Sequence, residues 1–208
     1  MKKLFLTAVA VFAFGFTNAQ EIKFGVKAGL NMASLSGGDA YYGSYGRKAG
    51  FHVGGLAEIK INDKFSVQPE LLYSLKGADF NFGFGGFGLG LPSNKLNLTY
   101  IDLPVMVKFY PIERLSAELG PNVAFLMSAK GSKYNSVTDT TDPNGDVKDS
   151  YNTVDYGMNI GAGYELKQGI MFQLRYNIGL SDVSKGPTTG TNYSDKNSVI
   201  QVSVGYKF

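Results

Sequence analysis

The sequence predicts an all-β fold, an eight-stranded antiparallel transmembrane β-barrel with up-and-down meander connectivity. Three observations point there. Past residue 20 the apolar residues recur with a period of two instead of 3.6. The connections between the alternating segments are short and long in turn. The chain also opens on a segment with the features of a cleavable export signal. Composition agrees: 27 of 208 residues are Gly, nearly twice the usual ~7%, and 13 Tyr and 15 Phe stand beside no Trp.

Residues 1–19 form the expected signal peptide. Lys2 and Lys3 supply its positive start, and Leu4 to Phe16 an apolar run of 13 residues, within the usual ~7–15. Thr17-Asn18-Ala19 then offers a cleavage site before Gln20. The run is too short for a spanning helix, which takes about 20 apolar residues. The remainder, 20–208, is expected to be one barrel domain in the outer membrane of a Gram-negative bacterium, reached after export through the inner membrane.

The strands follow in order. Residues 22–32 place Ile22, Phe24, Val26, Ala28, Leu30 and Met32 on one face, with Lys23, Gly25, Lys27, Gly29 and Asn31 on the other. Residues 47–60 oppose Phe51, Val53, Ala57 and Ile59 to His52, Glu58 and Lys60. Residues 64–76 oppose Phe65, Val67, Leu71, Tyr73 and Leu75 to Ser66, Gln68, Glu70, Ser74 and Lys76. Residues 97–110 oppose Ile101, Leu103, Val105, Val107 and Phe109 to Tyr100, Asp102, Met106 and Lys108. Residues 115–128 set Leu115, Ala117, Leu119, Val123 and Phe125 against Ser116, Glu118, Gly120 and Asn122. The last three segments begin near Val154, Ile170 and Ile200, and the final one alternates up to Tyr206 and Phe208. Short links fall near 61–63, 111–114 and 167–169, and long ones at 33–46, 77–94, 129–152 and 182–195. Short periplasmic turns and longer outer loops are the pattern of a transmembrane barrel.

In lipid every backbone polar group must be satisfied within the protein, so the sheet must close. The apolar face then meets lipid and the charged face lines the interior. The residues expected to form an interior charge network are Lys23, Lys27, Glu58, Glu70, Lys76, Asp102, Lys108, Glu118, Asp155, Glu165, Arg175 and Lys207, with Lys60 at the same parity. Eight strands enclose a space that side chains fill, and buried charges must pair. A wide aqueous pore is therefore not expected. Aromatics at Tyr73, Phe109, Tyr110, Tyr164, Tyr206 and Phe208 suit a periplasmic girdle. Pro69 and Pro104 fall inside strands, which predicts a bulge or local unpairing at each. Two alternatives share the period of two: a narrow porin-like channel, and a soluble lipocalin-like barrel with its apolar face inside.

The order of three strand motifs resembles the small outer-membrane β-barrel family labelled "porin family" or PorT-like. They are Phe24-Gly25-Val26-Lys27-Ala28-Gly29-Leu30-Asn31, then Val67-Gln68-Pro69-Glu70-Leu71-Leu72-Tyr73-Ser74 with Lys76-Gly77, then Tyr100-Ile101-Asp102-Leu103-Pro104-Val105-Met106-Val107-Lys108. Gly205-Tyr206-Lys207-Phe208 matches the family's aromatic ending. The resemblance implies an integral outer-membrane barrel, with outer-membrane lipid as its solvent and the barrel-assembly machinery as its partner during insertion. Tyr206 and Phe208 are then the insertion signal. It implies no single activity; some members are linked to secretion or surface assembly, so a surface or secretion partner is open.

Chemistry is constrained. There is no Cys and a single His, His52, which removes thiol chemistry and multi-His metal sites. No nucleophile–base–acid set stands out, so no catalytic residue, cofactor or metal is expected. Lys+Arg is 20 and Asp+Glu 17, too even for a nucleic-acid partner. Asp142-Pro143-Asn144-Gly145-Asp146, with Asp139 and Asp149, has the start of a calcium loop but Val147 and Thr153 where Gly and Glu are needed, and reads as a solvated turn. Phe80, Phe82, Phe84 and Phe87 flank or stud the glycine-rich run 83–90, an adhesive loop tip or the extension of two strands as a hairpin.

Overall fold

The computed structural model describes residues 21–36, 44–81, 94–135, 140–185 and 195–208. The signal segment, the glycine-rich run 83–90 with Phe82, Phe84 and Phe87, and Asp139 lie outside the described residues.

Among the described residues ten strands form: β1 (Ile22–Ser36), β2 (Ser44–Gly46), β3 (Lys48–Lys60), β4 (Phe65–Asn81), β5 (Asn94–Ile112), β6 (Leu115–Asn135), β7 (Thr140–Asp146), β8 (Val154–Glu165), β9 (Ile170–Gly179) and β10 (Lys196–Lys207). Eight of them make the barrel, in the order β1-β3-β4-β5-β6-β8-β9-β10, each antiparallel to its neighbours. The pairing of β1 with β10, from Gly25↔Lys207 to Ser36↔Lys196, closes it. The barrel is thus the expected meander of eight strands. Closure leaves no edge at membrane depth, where an unpaired N–H would have no water to bond.

The turns at one end are tight. Arg114 adopts φ 76° and Gly169 φ 86°, the left-handed conformation that lets two- to four-residue links reverse the chain. Asn62 supports the third turn by accepting from the backbone N–H groups of Lys64 and Phe65.

At the other end the strands run longer than their apolar pattern. β6 continues for residues 126–135 above the start of β8, since Val154 lies opposite Phe125. There it pairs with β7, while β2 pairs with the outer end of β4. The long links read as loops are therefore partly a sheet, and Asp142 and Asp146 lie in β7. The backbone N–H of Asn144 bonds Asp142 and that of Lys148 bonds Asp146.

The face assignment follows the period of two. Phe24, Leu30, Leu71, Leu119, Ile160, Phe172, Leu174 and Val202 point outward and stay exposed, while Lys27, Glu70, Glu118, Arg175 and Lys207 are buried inside. A soluble barrel requires the reverse. β9, the shortest barrel strand at ten residues, runs roughly 33 Å and, tilted by roughly 45°, rises about 24 Å, the height of an outer-membrane apolar band. Phe65 and Phe109 stack at the tight-turn end, 5.2 Å between ring centres. Two aromatics depart from the expected girdle. Tyr110 turns inward and donates to Glu58, and Tyr73 lies well up β4, opposite Ile101 and 6.3 Å from the Phe51 ring.

Pro69 and Pro104 unpair the sheet without shifting it. Between β3 and β4 the ladder skips from Leu56↔Glu70 to Ile59↔Val67 around Pro69, in unchanged register. Between β4 and β5 it skips from Pro69↔Val105 to Leu72↔Asp102 around Pro104. Pro lacks a ladder donor, and local unpairing suffices. Register shifts occur instead where β5 meets β6, at Thr99/Tyr100 and, around Pro111, between Phe109 and Ile112.

Candidate functional site

The interior is built in layers along the barrel axis. From the middle to the tight-turn end it is a chain of ion pairs. Lys27 Nζ on β1 lies 2.6 Å from Glu70 on β4. Arg175 on β9 reaches across to the same carboxylate with both terminal nitrogens, at 2.8 and 3.0 Å, and turns its Nε to Glu118 on β6 at 2.7 Å. Lys108 on β5 stands between Glu118 at 3.5 Å and Glu58 at 3.4 Å. Lys207 on β10 joins Glu58 to Glu165. Four cations, Lys27, Arg175, Lys108 and Lys207, so alternate with four carboxylates, Glu70, Glu118, Glu58 and Glu165.

Neutral amides complete the network. Gln68 donates to Glu70 and accepts from Lys108, and Gln173 accepts from Lys27 and donates to Glu118. These satisfy lone pairs that the ion pairs leave, as a buried ionic cluster requires. Gln68 and Gln173 were not among the sequence candidates, although their inward parity marks them.

Not every expected member joins. Lys23 is half-exposed and pairs with Glu21 at the rim, where Lys60 also binds Glu21. The two lysines hold the Glu21 carboxyl below the ordinary carboxylate range. Lys76 and Asp102 form their own buried pair at 2.9 Å, with Lys76 over the Tyr100 ring. Asp155 is buried and among the described residues bonds neutral groups only, Ser181 Oγ at 2.6 Å and Asn197 Nδ2 at 2.7 Å. Glu165 sits at the mouth, its side chain 22% exposed. That mouth is an open cavity of about 730 Å³ at the tight-turn end, with Glu58, Lys207, Glu165 and Tyr110 in its lining.

Above the ion pairs lies an arrangement that sequence reading did not find. His52 Nδ1 meets Asn31 Oδ1 at 2.7 Å, and Nε2 meets Ser203 Oγ at 2.8 Å. His52 is on β3 and Ser203 on β10, with β1 between them, and both stand opposite Gly29. Because Gly29 has no side chain, the imidazole lies over β1 and reaches the serine. Asn31 Nδ2 donates to the Phe51 and Leu75 carbonyls, which fixes its oxygen toward the ring. The geometry is that of a nucleophile, a base and its orienting group. All three residues are shut from solvent, at 4%, 1% and 0% exposure for Ser203, His52 and Asn31, so no substrate reaches the hydroxyl. The spacing of strand partners is the only sequence signal that could have paired them.

The outermost layer is apolar. Leu35, Leu96, Leu98, Tyr100, Leu126 and Val183 form one buried cluster, with Val147 and Tyr151 packed on it from the segment before β8. The short 3-10 turn Lys148–Ser150 and the bonds of Asn152 to the Asp182 and Ser184 carbonyls hold that segment over the barrel. No group of three metal-binding side chains occurs among the described residues.

Among solved structures, the Neisserial surface protein A (NspA) matches with a TM-score of 0.54 at 16% identity, over 92% of this chain and 100% of that one. The attachment invasion locus protein Ail of Yersinia pestis, solved with the heparin analogue sucrose octasulfate, matches with a TM-score of 0.50 at 13% identity, over 90% and 99%. At these identities the likeness is one of fold. No curated protein matches the sequence. The sequence pattern of one family, described as Outer membrane protein beta-barrel domain, matches residues 18–185. The chain belongs to the outer membrane protein beta-barrel domain family.

Proposed function

We propose that this protein is an integral outer-membrane barrel whose interior is closed by its charge network and whose outer, strand-built end makes the functional contacts. The observation that carries the first half is Arg175, which bridges walls four strands apart from β9 to Glu70 on β4. A side chain tied across the lumen, with Lys27, Gln68, Gln173 and Lys108 packed around it, leaves no continuous water column. The second half is supported by the sheet above the membrane. Among the described residues β2 and β7 each have one hydrogen-bonded neighbour, β4 and β6 respectively. Such strands carry unpaired backbone groups that a partner chain can extend. The role is structural or adhesive, not enzymatic, and the partner is a surface or secretion component met outside the cell.

Residues 1–19 are the removed export signal in this reading. Tyr206 and Phe208, exposed on the outward face at the tight-turn end of β10, serve the barrel-assembly machinery as the insertion signal. The PorT-like subfamily is favoured by the order of the motifs in β1, β4 and β5.

The test is single-channel conductance of refolded residues 20–208 in a planar bilayer, with insertion verified by protease protection. The reading expects no steps above background. Reproducible steps that change with Glu118→Gln or Arg175→Gln would overturn closure and favour a narrow channel. The open cavity at the tight-turn end supports that second reading, since it brings water down to Glu58 and Lys207.

A further inference from the structure

We propose that Asp155, Asn197 and Tyr100 hold a single alkali cation inside the barrel, beneath the outer apolar cluster. Asp155 is 4% exposed. Its two oxygens accept from neutral groups, Ser181 Oγ and Asn197 Nδ2, and among the described residues it has no cationic partner. A buried carboxylate in that state carries a desolvation cost that two neutral hydrogen bonds do not offset.

The neighbouring charge is already taken. Asp102 and Asp155 flank Ala124 on the inner face of β5, β6 and β8, and Lys76 is bound to Asp102 at 2.9 Å. Two carboxylates and one lysine leave one negative charge in this layer, whereas the ion-pair layer below closes at four against four. One positive charge restores the balance.

Unpartnered oxygens stand beside it. Asn197 donates its amide N–H to Asp155, while its Oδ1 is buried without a hydrogen-bond partner. The buried Tyr100 hydroxyl lies next to the Asn197 side chain and makes no close hydrogen bond there. Asn122 Oδ1 is a third such atom, one diagonal step away because Asn122 faces Gly157 and Ala124 faces Asp155. The set is all oxygen, which selects hard cations. A single carboxylate among neutral oxygens balances a monovalent ion rather than a divalent one.

The experiment is equilibrium urea unfolding of the barrel refolded in lipid vesicles, in NaCl and in choline chloride at equal ionic strength. The folding constant should rise with Na⁺ and saturate as a one-site process, about tenfold at ten times the dissociation constant. Asp155→Asn should remove that rise. Crystals grown with Tl⁺ should show an anomalous peak at Asp155 and Asn197. Identical unfolding in the two salts, with no anomalous peak, would overturn the proposal and leave Asp155 to a proton or a buried water. A larger response to Ca²⁺ than to Na⁺ at the same position would overturn the single charge. If Asp155→Asn does not fold, the wild-type salt comparison and the anomalous map still decide.

Discussion

Arg175 grips Glu70 from the far side of the barrel, two guanidinium nitrogens on one carboxylate at 2.8 and 3.0 Å. The strands that carry them, β9 and β4, share no hydrogen bond and stand four places apart around the wall. The pair is a cross-brace, and its fork geometry is one that Lys cannot reproduce.

Removing both partners should therefore cost less than the two single removals added together. Arg175→Met leaves Glu70 and Glu118 buried with Lys27 and Lys108 as their cations, and the expected loss is about 3 kcal/mol. Arg175→Met with Glu70→Gln should cost less than the sum of the two single changes, with a coupling of roughly 1–3 kcal/mol. Urea unfolding in lipid vesicles measures all three. Strict additivity would show that the brace contributes nothing beyond its separate atoms.

Gly29 sets the second prediction. A Cβ there would press on the Val202 carbonyl and on the His52 ring, the ring that crosses β1 to bond Ser203. Gly29→Ala should destabilise by about 1–3 kcal/mol and shift the imidazole resonances of His52. Gly55→Ala is the control. Its Cβ would find only the Gly25 carbonyl, 3.8 Å away, and stability should change by no more than about 0.5 kcal/mol. Equal effects at the two sites would remove the steric explanation.

Such contacts mark the boundary of what sequence made legible. Period two assigned Lys27, Glu70, Glu118 and Arg175 to one face because a strand has only two. Strand number and meander order followed from the short and long links. Which charges meet did not, because partners such as Arg175 and Glu70 are 105 residues apart and their meeting depends on closure and stagger. Lys23 was placed with the interior by parity, but it lies two residues before the β1–β10 seam begins at Gly25, and there it pairs with Glu21 at the rim. The outer layer was missed for a related reason. Leu96, Leu98 and Leu126 have inward parity like Lys108, yet they lie toward the outer ends of β5 and β6, where the inside of the sheet becomes an ordinary apolar core.

The lipid face gives the third prediction. Leu174 points outward beside Arg175 and is 56% exposed in the absence of lipid. Leu174→Arg should cost about 2–4 kcal/mol in vesicles, and in a micelle the penalty should fall, because detergent yields around a charge. Leu180→Arg, beyond the outer end of β9, should cost about 0–1 kcal/mol. The same cost at both positions would contradict the placement of the membrane along β9.

Tyr151 and Val183 give the last prediction. Val183 is 1% exposed and packs with Leu96, Leu98 and Leu126, while Tyr151 and Val147 close over them. The backbone joins them too, since Asn152 N–H donates to the Val183 carbonyl at 2.8 Å. This outer cap is held by the links around β8 and should open separately from the barrel below. Val183→Asp puts a charge into the cluster without a partner, so hydrogen exchange at residues 147–152 and 182–185 should accelerate by at least about tenfold, a loss of roughly 1.4 kcal/mol of local protection. Exchange at β9 and β10 should stay as slow as in the wild type. Faster exchange through all eight barrel strands would mean that the cap and the barrel unfold as one unit, and that the outer end is not free to adapt to a partner.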